Sequence, residues 1–169
     1  MYKINSFEFY RYEDIIKKED DAGYDKTAFE KMLEIKGDSD HTKLIDMLTD
    51  LNDYSIGIED VLKEHFDEEN IVYWMAFQIL MGNVDTQNRN VYLYSPLNSD
   101  IWYFIAWDND GCLMRSEYEL KNFSDQGSWE KGISNYWGNV LFQRCLKSRS
   151  FREKLNDAIL ELREYLNKD

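Results

Sequence analysis

Four side chains in the middle of this chain have the types and the spacing to hold a divalent cation beside a proton acceptor. Asp85 and Asn90 stand five positions apart in the polar run Asn83-Val84-Asp85-Thr86-Gln87-Asn88-Arg89-Asn90. Asp108 follows the apolar run Ile101 to Trp107, and Asn109, Asp110 and Gly111 come directly after it. Magnesium prefers oxygen ligands in near-octahedral geometry and takes one or two carboxylates together with phosphate oxygens and waters. A general base must be a separate carboxylate, near the metal yet free to meet a hydroxyl. Two strand-like runs, Val91 to Tyr94 and Ile101 to Trp107, are joined by the turn-forming Ser95-Pro96-Leu97-Asn98-Ser99-Asp100. A hairpin gathers its two ends, so Asp85 and Asn90 are expected to approach Asp108 and Asp110.

Protein kinases use the same set of groups: an Asp that accepts the substrate hydroxyl proton, an Asn that holds magnesium, and a second Asp on the metals that bridge the phosphates. Asp85 and Asn90 reproduce the first spacing, and Asp108 stands where the metal-holding Asp belongs. The His-Arg that precedes the kinase Asp is replaced by Asn83-Val84, and Asp-Phe-Gly by Asp108-Asn109-Asp110-Gly111. Spacing alone is equally that of Asp and Asn as turn formers at the two ends of a hairpin.

The longer string adds to this. Gly82-Asn83-Val84-Asp85, then Asn90-Val91-Tyr92-Leu93-Tyr94, then Trp102-Tyr103-Phe104-Ile105-Ala106-Trp107-Asp108-Asn109-Asp110 resembles the core motif of the spore-coat protein H family of atypical protein kinases. The chain departs from that pattern at Ala106, where the family usually has Pro, and at Asn109, where Leu or Phe is common. Neither change removes a metal ligand. The resemblance implies that Asp85 is the catalytic-loop acid, and that Asn90 and Asp108 hold the cofactor and its metal, with Asp110 as a further metal ligand. It implies Mg²⁺ and ATP as cofactors, a protein substrate (basic or Ser-rich), and a spore-coat or cell-surface setting. Family members are about twice this length, and the motif falls after their nucleotide-clamping portion. The 169 residues therefore look like the C-terminal part of such a kinase, a single kinase C-lobe-like domain lacking most of the N-lobe. Weak or absent activity is expected of them alone.

The elements that must position these groups are mostly helical, which gives a mostly α, α+β fold with the site on a β-hairpin. Ile4 to Tyr12 alternates and is aromatic, as an edge strand or an extended arm would be. Thr27 to Lys36 reads as a helix, with Thr27 and Glu30 as a capping box and Gly37 after it. Asp40 caps a second helix striped by Leu44, Ile45, Leu48 and Leu51; His41 reads as a surface residue in its first turn. Ile58 to Phe66 is a third helix. Asp67 caps Glu68 to Met81, apolar nearly all round and so a buried central helix. A buried helix feeding the Asp85 loop is a rigid mount for a site. Cys112 to Trp137 reads as a long irregular region. Asn139 to Lys147 is a helix, and Ser150 with Glu153 opens a last one through about Leu166, buried along Leu155, Ile159, Leu162 and Leu166.

Composition narrows the partners. With 43% hydrophobic residues the chain is a folded one. A net charge of −13 argues against nucleic acid and against an anionic membrane surface, and no apolar run approaches membrane-spanning length. Cys112 and Cys145 show no zinc spacing; they could pair, but nothing in their spacing says so, and buried free thiols are the simpler reading. No glycine-rich phosphate cover and no strand lysine for the phosphates is found. Two other readings stand beside the kinase one. Asp108 to Gly111 with Leu113 and Glu117 fits the later positions of a calcium loop, although Ala106 would occupy the first ligand position. A non-catalytic binding module that keeps the fold is the other.

Overall fold

The structure, a computed structural model, describes residues 1–83, 86–112 and 134–167. Two layers make up these residues. One is a four-stranded antiparallel sheet built from β1 (Tyr2–Ile4), β2 (Leu33–Ile35), β3 (Val91–Tyr94) and β4 (Tyr103–Ala106), in the order β2-β1-β3-β4. The other is helical: α1 (Lys26–Met32), α2 (Thr42–Asn52), α3 (Ile58–His65), α4 (Glu68–Leu80), α5 (Val140–Lys147) and α6 (Arg149–Leu166). This is the mostly α, α+β architecture that the sequence pattern leads one to expect.

The core follows from alternation on the sheet and from α4. Tyr2, Ile4, Val91, Leu93 and Phe104 point inward and are buried, while Lys3, Tyr92 and Ile105 point the other way. Helix α4 buries Ile71, Val72, Trp74, Met75, Ala76 and Gln78, and packs on α6 and β4. The Trp74 ring stacks on Phe142 of α5 at 5.5 Å and meets Phe104 of β4 at 5.0 Å. That aromatic column joins both layers. Its offset and tilted contacts are worth roughly 0.5–1.5 kcal/mol per pair beyond the area they bury.

Several local expectations are corrected by long-range partners. The helix expected over Thr27 to Lys36 ends at Met32, because Leu33–Ile35 leaves it to pair with β1. Its cap is Asp25, whose carboxylate accepts from the Thr27 and Ala28 N–H groups, and not the Thr27 box. The strand expected from Ile4 to Tyr12 is only Tyr2–Ile4, and it is an inner strand between β2 and β3, not an edge. The rest is an irregular arm whose Phe7 and Phe9 are buried. The last helix opens at Arg149, capped by Ser148, whose hydroxyl accepts from Phe151 N–H and donates to Glu59 at 2.5 Å. On that helix Leu155 is buried, while Leu166 stands exposed.

His41 is not at the surface. It is wholly buried, stacked on Phe29 at 4.3 Å, with the Tyr2 hydroxyl 2.7 Å from Nδ1. Asp40 does bind the start of α2, accepting from Thr42 N–H at 2.9 Å. Asp67 caps α4 as expected, and Asn139, read as the first residue of its helix, is the cap of α5. Both cysteines are free thiols: Cys145 is buried and Cys112 half-buried.

Candidate functional site

The site region is built outward from the end of α4. Gly82 adopts φ +60, the left-handed conformation that glycine enters without steric cost. Its N–H bonds to Ile79 O, and the next N–H, of Asn83, bonds to Gln78 O at 3.0 Å. This is a Schellman closure of the helix. A Cβ on Gly82 would meet nothing within 4 Å, so glycine is required there by backbone angle and not by space. The Gly82-Asn83 pair thus has a physical role: the glycine ends the helix, and the asparagine is delivered toward the hairpin.

The hairpin register brings the open ends of β3 and β4 together. The register pairs Val91 with Ala106, Leu93 with Phe104 and Tyr94 with Tyr103. Extended one step, it sets Asn90 across from Trp107, so Asn90 and Asp108 flank the same mouth. Both residues are left-handed, at φ 57 and φ 56. Asn and Asp tolerate that region better than other side-chain-bearing residues, which cost roughly 1–2 kcal/mol there. Asp108 and Asp110 are exposed, and among the described residues no ion pair engages either one.

Side-chain amides hold this mouth in place. Gln78, wholly buried on α4, donates from Nε2 to Asn109 Oδ1 at 3.3 Å, and Asn83 donates to the same oxygen at 3.2 Å. Asn70, also on α4, acts as a stub of β-strand against the outer edge of β4. Its Oδ1 accepts from Phe104 N–H at 2.7 Å and its Nδ2 donates to Phe104 O at 3.2 Å. Residues 86–90, leading into β3, are gripped from two more sides. Glu8 accepts from Asn88 at 3.1 Å and from the Tyr12 hydroxyl at 2.6 Å, and its carbonyl accepts from Val140 N–H. Asn139 donates to Gln87 O at 2.9 Å. Burial and the Glu8 contact both push the Tyr12 pKa up. Burial likewise raises that of Tyr136, whose hydroxyl lies beside Thr86 and Gln87 yet, among the described residues, meets no atom at hydrogen-bonding geometry. The Cys112 thiol, next in line after the acidic turn, is raised by burial, with Asn83 pulling the other way.

Of the site residues expected from sequence, Asn90 and Asp108 are brought to one mouth, and Asp110 sits in the 3-10 turn Asn109–Gly111 just past it. Asp85 lies outside the described residues, as do Leu113 and Glu117 of the calcium-loop reading. In that reading Ala106 belongs to β4, so the segment leading into Asp108 is a strand and not a helix. Among the described residues no three His, Cys, Asp or Glu side chains cluster as a preformed metal cage. Two exposed carboxylates and an amide suit magnesium that arrives with a nucleotide, since phosphate oxygens and waters complete its shell. Glu8, Asn70, Gln78 and Asn139 escaped the sequence reading. Their partners lie far along the chain, and only the polar Gln78 within an otherwise apolar helix gave a local signal.

Asn90, at the foot of β3, and the acidic turn after β4 thus share the open end of one short antiparallel hairpin. The family described as CotH kinase protein matches residues 1–169, and the chain belongs to it. The chain matches no curated protein and no solved structure.

Proposed function

We propose that this chain carries the catalytic side of an atypical protein kinase that transfers phosphate from ATP to a Ser or Thr hydroxyl. The observation that carries the reading is the hairpin register, which sets Asn90 and Asp108 at one mouth with the acidic turn exposed. Asp85 is assigned as the base that takes the hydroxyl proton, while the hydroxyl oxygen bonds to phosphorus and ADP departs. Asp108 and Asn90, with Asp110, are the oxygen donors assigned to magnesium. The ion, when bound, neutralises charge on the β- and γ-phosphate oxygens. Trp107 is exposed, Tyr92 meets it edge-on at 5.2 Å, and both side chains lie on the outer sheet face beside that mouth. They give a nucleotide base an apolar wall. A basic or Ser-rich protein substrate fits the net charge of −13. A spore-coat or surface substrate is part of the same proposal and rests on family membership.

Calorimetry with Mg²⁺ and a nonhydrolysable ATP analogue tests this on the whole chain. Asp108→Asn keeps a residue suited to the left-handed backbone and removes the charge. Binding by the wild type that falls about 100-fold or more in the variant, roughly 2.7 kcal/mol, is the expected result. Equal heats from both proteins would sink the reading.

A further inference from the structure

We propose that Gln78 and Asn109 form a polar latch that fixes the orientation of the turn carrying Asp108 and Asp110, with Asn83 as its second arm. The latch deepens the kinase reading and, as far as it concerns metal binding, rests on it. Three observations converge. Gln78 is wholly buried on a helix whose other buried residues are apolar, and its Oε1 finds no hydrogen-bond partner among the described residues. A buried amide with an orphaned oxygen is a poor way to fill space, since an apolar side chain of the same size avoids the loss. What the residue supplies is its Nε2 donor, and that donor goes to Asn109 Oδ1. The same oxygen takes Asn83 Nδ2. One acceptor on the acidic turn is thus tied both to the rigid helix and to the residue that opens the Asp85 loop.

The geometry also says why the tie matters. Asp108 is at φ 56, and Asn109 begins a single 3-10 turn closed by Cys112 N–H on Asn109 O at 3.1 Å. Neither carboxylate of that turn is held by an ion pair among the described residues. Its direction is therefore set by the side chain between them. Asn109 is a positioning residue: its own amide oxygen points back to α4 while Asp108 and Asp110 face outward.

Gln78→Met, Asn109→Ala and the double variant test the latch. Two readings are taken: affinity for Mg²⁺ with the nonhydrolysable ATP analogue, and hydrogen exchange of the Cys112 amide. Each single variant is expected to weaken binding about 10-fold, equivalent to 1.4 kcal/mol. The double variant should lose little more than either single one, because one tie is being cut. Cys112 exchange should speed up in all three. The melting temperature of Gln78→Met should hold or rise, since the orphaned oxygen goes with the amide; a merely structural glutamine would lower stability and affinity together. If the variants bind as the wild type does, or their Cys112 exchange is unchanged, the latch is overturned. Should the wild type itself bind no nucleotide, the kinase reading fails, and Cys112 exchange alone then decides the latch.

Discussion

At its turn end the β3–β4 hairpin is held by a cation, and at its open end by amides. Lys43 of α2 reaches across to the turn and donates to Pro96 O at 2.9 Å and Ser99 O at 2.6 Å, with Asp100 at 3.5 Å. The open end has Asn83, Gln78 and Asn109 in place of the lysine. Both devices anchor a loop to a helix, but their charges differ. A lysine seated at the open end would neutralise the carboxylates there and compete with any metal. Neutral donors fix the backbone without setting a cation against Asp108 and Asp110. The contrast teaches that position and charge are supplied separately where chemistry is expected, and together where only shape is needed.

The largest test of that contrast is to cut the support the two ends share. Asn70 holds the edge of β4 midway between them, so Asn70→Leu should lower stability by about 2 kcal/mol in denaturant unfolding, having removed two bonds to one strand residue. An unchanged midpoint would mean that β4 is fixed by packing alone. Next comes the buried histidine at the turn-end side of the molecule. Burial holds the His41 pKa below its ordinary value, against the opposing pull of Glu19, Asp40 and Asp38 and with the help of the N-terminal ammonium. Tyr2, Tyr24 and Phe29 enclose the ring. The unfolded chain, titrating at about 6.5, then takes up the proton first. Stability should be intact above that pH and fall below it, by at most about 1.4 kcal/mol per pH unit. Melting curves from pH 7.5 to 5 should show the slope, and His41→Phe should flatten it; an equal slope in both proteins would place the acid sensitivity elsewhere. The smallest effect is expected from Lys43→Met. About 1 kcal/mol should be lost, with nucleotide affinity untouched, since the cation serves only the closed end. A drop in affinity would erase the distinction between the two ends.

Much of this was legible in the residues themselves. Helix α4 announces itself by the Asp67 cap and an apolar run interrupted only by Gln78, and the hairpin by two β-rich segments around a proline-bearing turn. The mouth formed by Asn90 and Asp108 follows from the hairpin alone. What could not be read depends on partners distant in sequence. Leu33–Ile35 looks like the last turn of a helix until β1 is there to pair with it, a case of sheet pairing overriding local propensity. Ser148 and Ser150 are both plausible caps, and Glu59 on α3 favours the first. His41 is polar and follows an acidic loop, so nothing local signals that three aromatic rings close over it. Asn109 reads as a substitution in a motif, and its bond to Gln78 spans 31 positions.

The place of β1 in the sheet has a consequence for how the molecule assembles. Its three residues lie between β2 and β3, and β3 follows them in the chain only after a long helical stretch. With β2 they can form only a two-stranded ribbon, which is marginal in water. The sheet is complete only once the hairpin, encoded much later, arrives to cover the remaining edge. Long-range pairing of this kind slows folding, and until it is done a bare strand edge stays open for other chains to add to. Ribosome-bound chains stopped before Val91 should therefore be the ones that aggregate.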